Sequence, residues 1–345
     1  MRDNIVGKSI LLICDPFYGY GQIMKDTLLK IGAKSVCYKE ATFYSGSLRD
    51  KISFRSILSW IKNPKRRAEW TRRFIKEIAG LHFDTFFVVE NMPFSLYFFD
   101  YLKKANPQVR SILFLWDTTK TQQPRYTDFY KKFDTVYSFD RDDAKKYGFK
   151  YYPDFYIPEE IVPISRCEYD VAFVGSMSHG ETKLRAKILF DIYNFCQTNN
   201  LHSFIYLKHF KLANTTLRKI YQMFQDFSYV RMVKKYKKYG YLYDQPLPIE
   251  QYNRVMAQTK VVIDLSYHRR QGMTINAITA LACGKKLITT NNRIKKESFY
   301  NPSIILVVDE RSPQLDMNFI QAPYSSADFS HLQIDNWLRH VVNEQ

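Results

Sequence analysis

The residue types best suited to holding a ligand are concentrated between Val261 and Asn292. The loop in this stretch carries the basic residue His268 and ends in Gly272, and Thr274 follows where a helix is predicted to begin. Glycine lets the backbone approach a ligand closely, and threonine can cap a helix or contact a phosphate. A helix N-terminus adds unpaired N–H groups and a positive dipole end. The pattern indicates a diphosphate site, and an ordinary capped loop explains it equally well.

Carboxylates at the ends of predicted strands are a second set of candidates. Glu90 follows the apolar run TFFVV, and Asp117 follows SILFLW. Ligand sites of open parallel sheets form at the carboxyl ends of strands, so both residues are candidate general bases. The alternative is that such acids cap loops and helices. Asp140, in FDRDDAKKYG, has the pattern of a helix N-cap.

The elements around these residues follow a repeated order of strand, loop, helix and strand. Val261–Leu265 is a short β-branched run, Met273–Ala282 has helical spacing, Gly284 ends that helix and Lys286–Thr290 is a second strand. Ile10–Cys14 starts the same order near the N-terminus. Such units build parallel sheets, so the fold class is predicted to be α/β.

Two domains are predicted from the length of 345 residues and from a proline-rich stretch at 151–163. We place an N-terminal domain at 1–155 and a C-terminal one at 165–320. A C-terminal segment at 321–345 contains an amphipathic helix that is expected to pack back on the first domain. The second domain begins with the strand DVAFV, which ends in the small residues Gly175 and Ser176. The basic, tyrosine-rich segment 231–243 is interpreted as a loop.

The region Lys51–Ile78 interleaves basic residues with tryptophan and phenylalanine, and Pro64 is expected to divide it into two helices. This composition suits a helix at an anionic membrane surface. A solvated basic face explains the pattern equally well, and contact with nucleic acid is a further alternative. Contact of the Lys51–Lys76 region with the anionic inner-membrane face is one of these expectations.

Composition narrows the class of protein. The chain is 46% hydrophobic, with a net charge of +17 and five scattered cysteines. It can bury sizeable cores, and no zinc or disulfide spacing appears. No apolar run reaches the length needed to span a bilayer. We expect a cytoplasmic protein, peripheral at the inner membrane. A nucleic-acid partner is not expected, because the sequence has no helix-turn-helix, RNP-like or KH pattern.

Three segments together resemble GT-B glycosyltransferases, and more narrowly the CgeB-like and capsular or lipopolysaccharide-biosynthesis enzymes. They are YSFDRDDAKKYGFKYYPDFY (137–156), DVAFVGSMSHGETKLR (170–185) and QGMTINAITALACGKKLITTN (271–291). The resemblance covers roughly residues 80 to 310. It implies two Rossmann-like domains with parallel sheets facing across a cleft. It also implies a nucleotide-sugar donor and a glycan or lipid-linked acceptor.

The resemblance also implies roles for individual residues. Residues at the donor phosphates, the sugar and the base would be Gly175, Ser176, Arg185, Lys208, Tyr243, Gln271, Gly272, Met273 and Thr274. Family members often carry a glutamate that grips the ribose, and Thr279 stands at that position here.

A metal-independent transfer follows from the resemblance, with no cofactor besides the donor substrate. Helix N-termini and basic side chains would balance the charge of the leaving diphosphate. In an inverting enzyme a carboxylate of the first domain would deprotonate the acceptor, with Asp117 preferred over Asp15 and Glu90. Two alternatives remain: a GT-B-like protein that binds nucleotide without catalysis, and a basic nucleic-acid-binding protein.

Overall fold

The computed structural model describes residues 5–41, 64–119, 126–158, 167–176, 182–209, 230–265 and 272–343. The chain divides into two compact units. The first comprises Met1–Pro153 together with Ile334–Gln345, and the second comprises Asp154–Gln333.

The first unit is built on a six-stranded, fully parallel sheet. Its strands are β1 (Ser9–Cys14), β2 (Ser35–Glu40), β3 (Thr85–Val89), β4 (Arg110–Leu115), β5 (Thr135–Ser138) and β6 (Lys150–Tyr151). Their order across the sheet is β2-β1-β3-β4-β5-β6. All five residues of β3 are buried, as expected for a central strand covered on both faces.

Helices cover this sheet. They are α1 (Tyr20–Lys30), preceded by a 3₁₀ turn at Phe17–Gly19, then α2 (Pro64–Glu77), α3 (Tyr97–Ala105), α4 (Thr127–Tyr130) and α5 (Arg141–Tyr147). The core on one face is rich in phenylalanine: Phe86 packs against Phe94, Phe98 and Phe133 with ring centroids 5.5–5.9 Å apart. These packed rings fix the helices against the strands.

The second unit repeats the architecture. Its strands are β7 (Tyr169–Ser176), β8 (Ser203–Lys208), β9 (Leu242–Tyr243), β10 (Thr259–Asp264), β11 (Lys286–Thr289) and β12 (Ile305–Val307), all parallel in the order β12-β11-β10-β7-β8-β9. The helices are α6 (Thr182–Thr198), a helical stretch at 230–237, α7 (Ile249–Ala257), α8 (Ile275–Ala282) and α9 (Met317–Gln321). Short 3₁₀ helices occur at Asn292–Lys296 and Ser330–Leu332.

The last helix, α10 (Ile334–Asn343), belongs to the first unit. Its Trp337 is fully buried and packs edge-on against Phe114, with centroids 4.6 Å apart. The indole N–H donates a hydrogen bond to the carbonyl of Pro153, with N and O 2.9 Å apart. One large side chain thus ties the end of the chain to the sheet of the first unit.

Local features follow from the sequence in most places. Asp140 caps α5 by accepting hydrogen bonds from the amides of Asp142 and Asp143, as its sequence context predicts. Pro64 begins α2, where its missing N–H costs nothing. The predicted partner helix at 51–63 lies outside the described residues.

The prediction of a loop at 231–243 is wrong over its first half, because residues 230–237 are helical. Met232, Val233 and Tyr236 are buried in the core of the second unit, which is helical spacing. The pair Lys234–Lys235 between Val233 and Tyr236, and the pair Lys237–Lys238 after it, hide the apolar stripe in the sequence. No helix in the described part of the chain is long and apolar enough to cross a membrane.

Candidate functional site

The turn before α8 lies where the sequence predicts a ligand site. Thr274 is the N-cap of α8, and its hydroxyl accepts a hydrogen bond from the amide of Ala277 at 3.1 Å. The same hydroxyl donates to Oδ1 of Asp264, the last residue of β10, at 3.0 Å. The threonine therefore fixes the start of the helix to the carboxyl end of a strand.

A second side chain holds the other end of the turn. The Nδ2 of Asn291, which follows β11, donates to the carbonyl of Gly272 at 3.3 Å. Asn291 is 5% exposed, and its backbone N–H donates a hydrogen bond to the hydroxyl of Thr289. The segment Gly272–Thr274 is thus anchored to the ends of two neighbouring strands. Such preorganised backbone is what binding an anionic group requires.

Asp264 is a residue of the candidate site that the sequence analysis did not identify. Burial raises the pKa of its carboxyl group, while the hydrogen bond from Thr274 and the charge of Arg185 act in the opposite direction. The signal was available, since an acid at the end of the run VVID is the same pattern that identified Glu90. The residue adds an acid directly beside the turn.

Arg185 reaches the same sheet edge from α6. Its guanidinium donates hydrogen bonds to the carbonyls of Ser176, at the end of β7, and Leu265, just beyond β10. Arg185 therefore clamps two adjacent strand ends together. Its charge lies at the edge where the donor phosphates are expected, and at least two of its N–H groups are committed to the backbone.

Gly175 has a packing reason of its own. A Cβ placed there would lie 2.7 Å from Cζ of Phe173, closer than packed atoms allow. The small residue lets the ring of Phe173 lie over the strand. The glycine that the sequence assigned to close ligand approach is therefore also required for packing in the core.

Lys208 and Tyr243 end adjacent strands, β8 and β9, in register with each other. The ring of Tyr243 stacks on Tyr206 with centroids 3.8 Å apart and an angle of 4° between the planes. Tyr243 is 37% exposed. The stack gives this end of the sheet a rigid aromatic surface, with a lysine beside it.

The remaining donor-site predictions have different outcomes. His268 and Gln271 lie outside the described residues. Met273 is 4% exposed, so its side chain packs in the interior. Thr279 lines a small cavity between α7 and α8, together with Cys283 and Lys285, which follow the end of α8. Its side chain therefore lies away from the turn that precedes α8.

In the first unit the three predicted acids lie at one sheet edge. Asp15, just after β1, is 2% exposed and accepts a hydrogen bond from Nδ2 of Asn91 at 2.6 Å. Burial raises the pKa of Asp15 to about 7, although the bond from Asn91 acts against this. A carboxyl group with that pKa can take up a proton near neutral pH.

Glu90 has a structural task. Its Oε2 accepts hydrogen bonds from the amides of Trp116 and Asp117, at 3.0 and 3.1 Å. Glu90 is 5% exposed and has a φ of 68°, a strained value for a residue with a side chain. Asp117 accepts from the amide of Thr118 through Oδ1. Glu90 therefore orders the turn that carries Asp117.

Helix α2 is the described part of the predicted membrane-contact region. Trp70 and Phe74 face inward and contact each other, with ring centroids 4.8 Å apart, so they belong to the core. Arg67 is 9% exposed and lies over the rings of Tyr126 and Phe129. The outer face carries only charged residues: Lys65, Glu69, Arg72, Arg73, Lys76 and Glu77.

Among the described residues, no group of three or more His, Cys, Asp or Glu side chains is placed to hold a metal ion.

The fold is that of GT-B glycosyltransferases, as the sequence resemblance predicts. Sucrose-phosphate synthase from Thermosynechococcus elongatus is similar with a TM-score of 0.58 and 10% identity, over 97% of this chain and 89% of that chain. A trehalose-6-phosphate protein from E. coli, bound with UDP-2-fluoro glucose, has a TM-score of 0.55 and 11% identity, over 98% and 92%.

A UDP-N-acetylglucosamine 2-epimerase is similar to the same degree, with a TM-score of 0.53 and 10% identity, over 98% of this chain and 94% of that chain. No protein-family model and no curated protein matches the sequence. At these identities the similarity establishes the fold alone. The narrower resemblance to CgeB-like and capsular enzymes stays a prediction.

Proposed function

We propose that the protein is a glycosyltransferase that moves a sugar from a nucleoside-diphosphate donor to a glycan or lipid-linked acceptor, in the synthesis of a bacterial surface polysaccharide such as capsule or lipopolysaccharide. The observation that carries the proposal is the Gly272–Thr274 turn, held by Asp264 and Asn291 at the start of α8. The GT-B fold supports it, because proteins with this fold include one bound with a UDP-sugar analogue.

The second unit would hold the donor. Backbone amides at the start of α8 would face the diphosphate, and the charge of Arg185 behind the turn would favour it. The Tyr206–Tyr243 stack offers a flat surface on which a nucleobase ring could lie. These groups would stabilise the negative charge that develops as the bond between the sugar and the diphosphate breaks. No step in this scheme needs a metal ion.

The first unit would supply the base if the reaction inverts the anomeric centre. We now prefer Asp15 to Asp117 for this role, because the pKa of Asp15 is raised to about 7. The acceptor hydroxyl would lose its proton to the Asp15 carboxylate as its oxygen bonds to the anomeric carbon. The diphosphate would leave with the electron pair of the broken bond. Glu90 would act as a positioning residue.

Contact with an anionic membrane would be electrostatic. The tryptophan and phenylalanine of α2 are turned inward, so they cannot insert into lipid. The exposed lysines and arginines of α2 could still attract an anionic surface. This arrangement supports a reversible, salt-sensitive association at the cytoplasmic face, where a lipid-linked acceptor would be met.

The test is an incubation with a panel of nucleotide-sugars, with and without lipid-linked or soluble glycan acceptors. Released nucleoside diphosphate and the fate of the sugar are followed by NMR. A transferase releases the diphosphate in step with a new glycosidic linkage, and does so only when a suitable acceptor is present. Diphosphate release that never depends on an acceptor would contradict the proposal.

A second candidate function is epimerisation of a nucleotide-sugar, favoured by the similarity to a UDP-N-acetylglucosamine 2-epimerase. The same incubation separates the two, because an epimerase converts the donor into its isomer without any acceptor. A protein that binds nucleotide without catalysis would give neither product.

A further inference from the structure

The second unit carries a pocket that runs along α7 and does not include the donor turn. It measures about 390 Å³ and lies between α7 and the first residues of β7 and β8. Tyr169 and Phe204 form its aromatic walls, and Glu250, Gln251 and Arg254 border it from α7. β7 runs from this pocket to Ser176 at its other end, which at about 3.3 Å per residue separates the two places by about 23 Å. The pocket therefore does not include the Gly272–Thr274 turn, although its wall residue Phe204 neighbours Tyr206, whose stack with Tyr243 is the proposed nucleobase surface.

The walls of the pocket are held rigidly. The amides of Glu168 and Tyr169 both donate to the carbonyl of Gln258, at 2.9 and 3.0 Å, which ties the start of β7 to the end of α7. Phe204 lies parallel to Tyr206, with an angle of 8° between the planes, and Tyr206 stacks in turn on Tyr243. A rigid aromatic wall binds a ligand with little loss of conformational freedom.

The chemistry of the lining selects a class of ligand. The rings of Tyr169 and Phe204 are tilted by 59°, with centroids 5.4 Å apart, so they cannot sandwich a flat heterocycle. The lining has a net negative charge, because it contains two carboxylates, Glu168 and Glu250, and one guanidinium, Arg254. This charge disfavours a phosphate or another anion. Ring faces attract the weakly positive C–H groups of a sugar, while carboxylates and amides bond its hydroxyls.

We propose that this pocket is a second carbohydrate site, which binds a neutral oligosaccharide without acting on it. Five of its nine lining residues are exposed, so the pocket is an open groove of the kind that an extended chain of sugars can occupy. Such a site would hold a glycan chain near the enzyme between transfers. The proposal does not use the Gly272–Thr274 turn, because none of the residues of that turn lines the pocket.

The test is ligand-observed NMR with maltotetraose, cellotetraose and chitotetraose. We expect at least one of them to bind with a Kd of about 1 mM. Phe204→Ala should weaken this binding at least about tenfold, the loss of one good packing contact. The double variant Gln251→Ala/Arg254→Ala, at exposed positions of α7, should weaken it too and keeps the test valid if Phe204→Ala fails to fold.

Two controls separate the outcomes. Tyr97→Ala removes an exposed aromatic residue of the first unit and should leave oligosaccharide binding unchanged. Gly272→Asp, at the donor turn, should also leave it unchanged. The proposal is overturned if none of the three oligosaccharides binds at about 10 mM, ten times the expected Kd. It is equally overturned if the pocket variants bind normally, or if Gly272→Asp alone abolishes binding.

Discussion

Asn91 donates a hydrogen bond to Asp15 across the ends of two adjacent strands, β3 and β1, with Nδ2 and Oδ2 2.6 Å apart. The residue before Asn91 is Glu90, which holds the amides of Trp116 and Asp117 after β4. One short segment thus connects the three candidate bases Asp15, Glu90 and Asp117. The two acids nevertheless differ in role. Glu90 accepts hydrogen bonds from backbone amides, whereas the raised pKa of Asp15 lets its carboxyl group exchange a proton near neutral pH.

Asp15→Asn tests the role of the base. Wild-type kcat/KM should rise with pH through about 7 and then level off, as the carboxyl group loses its proton. The variant should be slower by about 10²- to 10⁴-fold and should lose that inflection. An unchanged pH profile in the variant would assign the base elsewhere, with Asp117→Asn as the next variant to measure.

The same substitution has a predicted effect on stability. Burial raises the folded-state pKa of Asp15 from 3.8 to about 7, so the folded protein favours the protonated form. The stability that this provides is complete below pH 3.8 and is lost as the pH rises to about 7. Asn has no charge to desolvate, so the variant should gain more in Tm over wild type at pH 8 than at pH 5. An equal gain at both pH values would contradict the assigned burial effect.

Thr274 offers a matched pair of variants. Thr274→Ser keeps the hydroxyl that bonds Asp264 and the amide of Ala277, whereas Thr274→Val removes it at nearly constant volume. We expect Val to cost about 1 kcal/mol of stability through the lost cap and to raise the KM for the donor. Ser should stay close to wild type in both measurements. Donor binding that is equal in the two variants would show that the cap does not support the donor site.

Arg185→Lys tests the clamp between strand ends. Lysine keeps the charge but cannot present the planar fork of donors that serves the carbonyls of Ser176 and Leu265 together. Urea unfolding should show a loss of about 0.5–1.5 kcal/mol, the net contribution of a typical hydrogen bond, because the bond to Ser176 is exposed and the bond to Leu265 is partly buried. If Arg185→Lys is as stable as wild type but binds the donor more weakly, the guanidinium contributes to donor binding and not to the stability of the fold.

The exposed face of α2 predicts how the protein meets a membrane. Arg72→Gln/Arg73→Gln removes two exposed charges from α2, and sedimentation with anionic vesicles at low salt should fall. Lys103→Gln/Lys104→Gln on α3 is the control with the same loss of charge. Equal effects of the two pairs would mean that net charge, and not this face, drives the association.

The strands were the easiest part of the fold to predict, because runs such as TFFVV in β3 are apolar throughout and buried throughout. The helix at 230–237 was missed because lysine pairs interrupt its apolar stripe. At the donor turn, the sequence identified Gly272 and Thr274 from local cap chemistry.

The partners of these residues could not be found from spacing. Leu265 lies 80 residues from Arg185, and Asn291 lies 19 residues from Gly272. Likewise, only the fold shows that Glu90 is committed to backbone amides and that Asp15 is the acid with the raised pKa. Local patterns predict where a site would lie, and the tertiary contacts show which groups each of these side chains bonds.

The central claim is that the Gly272–Thr274 turn binds the diphosphate of a nucleotide-sugar. The most direct measurement is a thermal-shift screen of UDP, GDP, CMP, ADP, dTDP and their sugar conjugates without metal, on wild type, Gly272→Asp and Gly272→Ala. A ligand at about 100 times its Kd should add about 2.7 kcal/mol of stability. We predict that one nucleotide family stabilises the wild type, that Gly272→Asp abolishes the shift through charge repulsion, and that Gly272→Ala weakens it less. No shift with any nucleotide, or a shift that Gly272→Asp retains in full, would contradict the account.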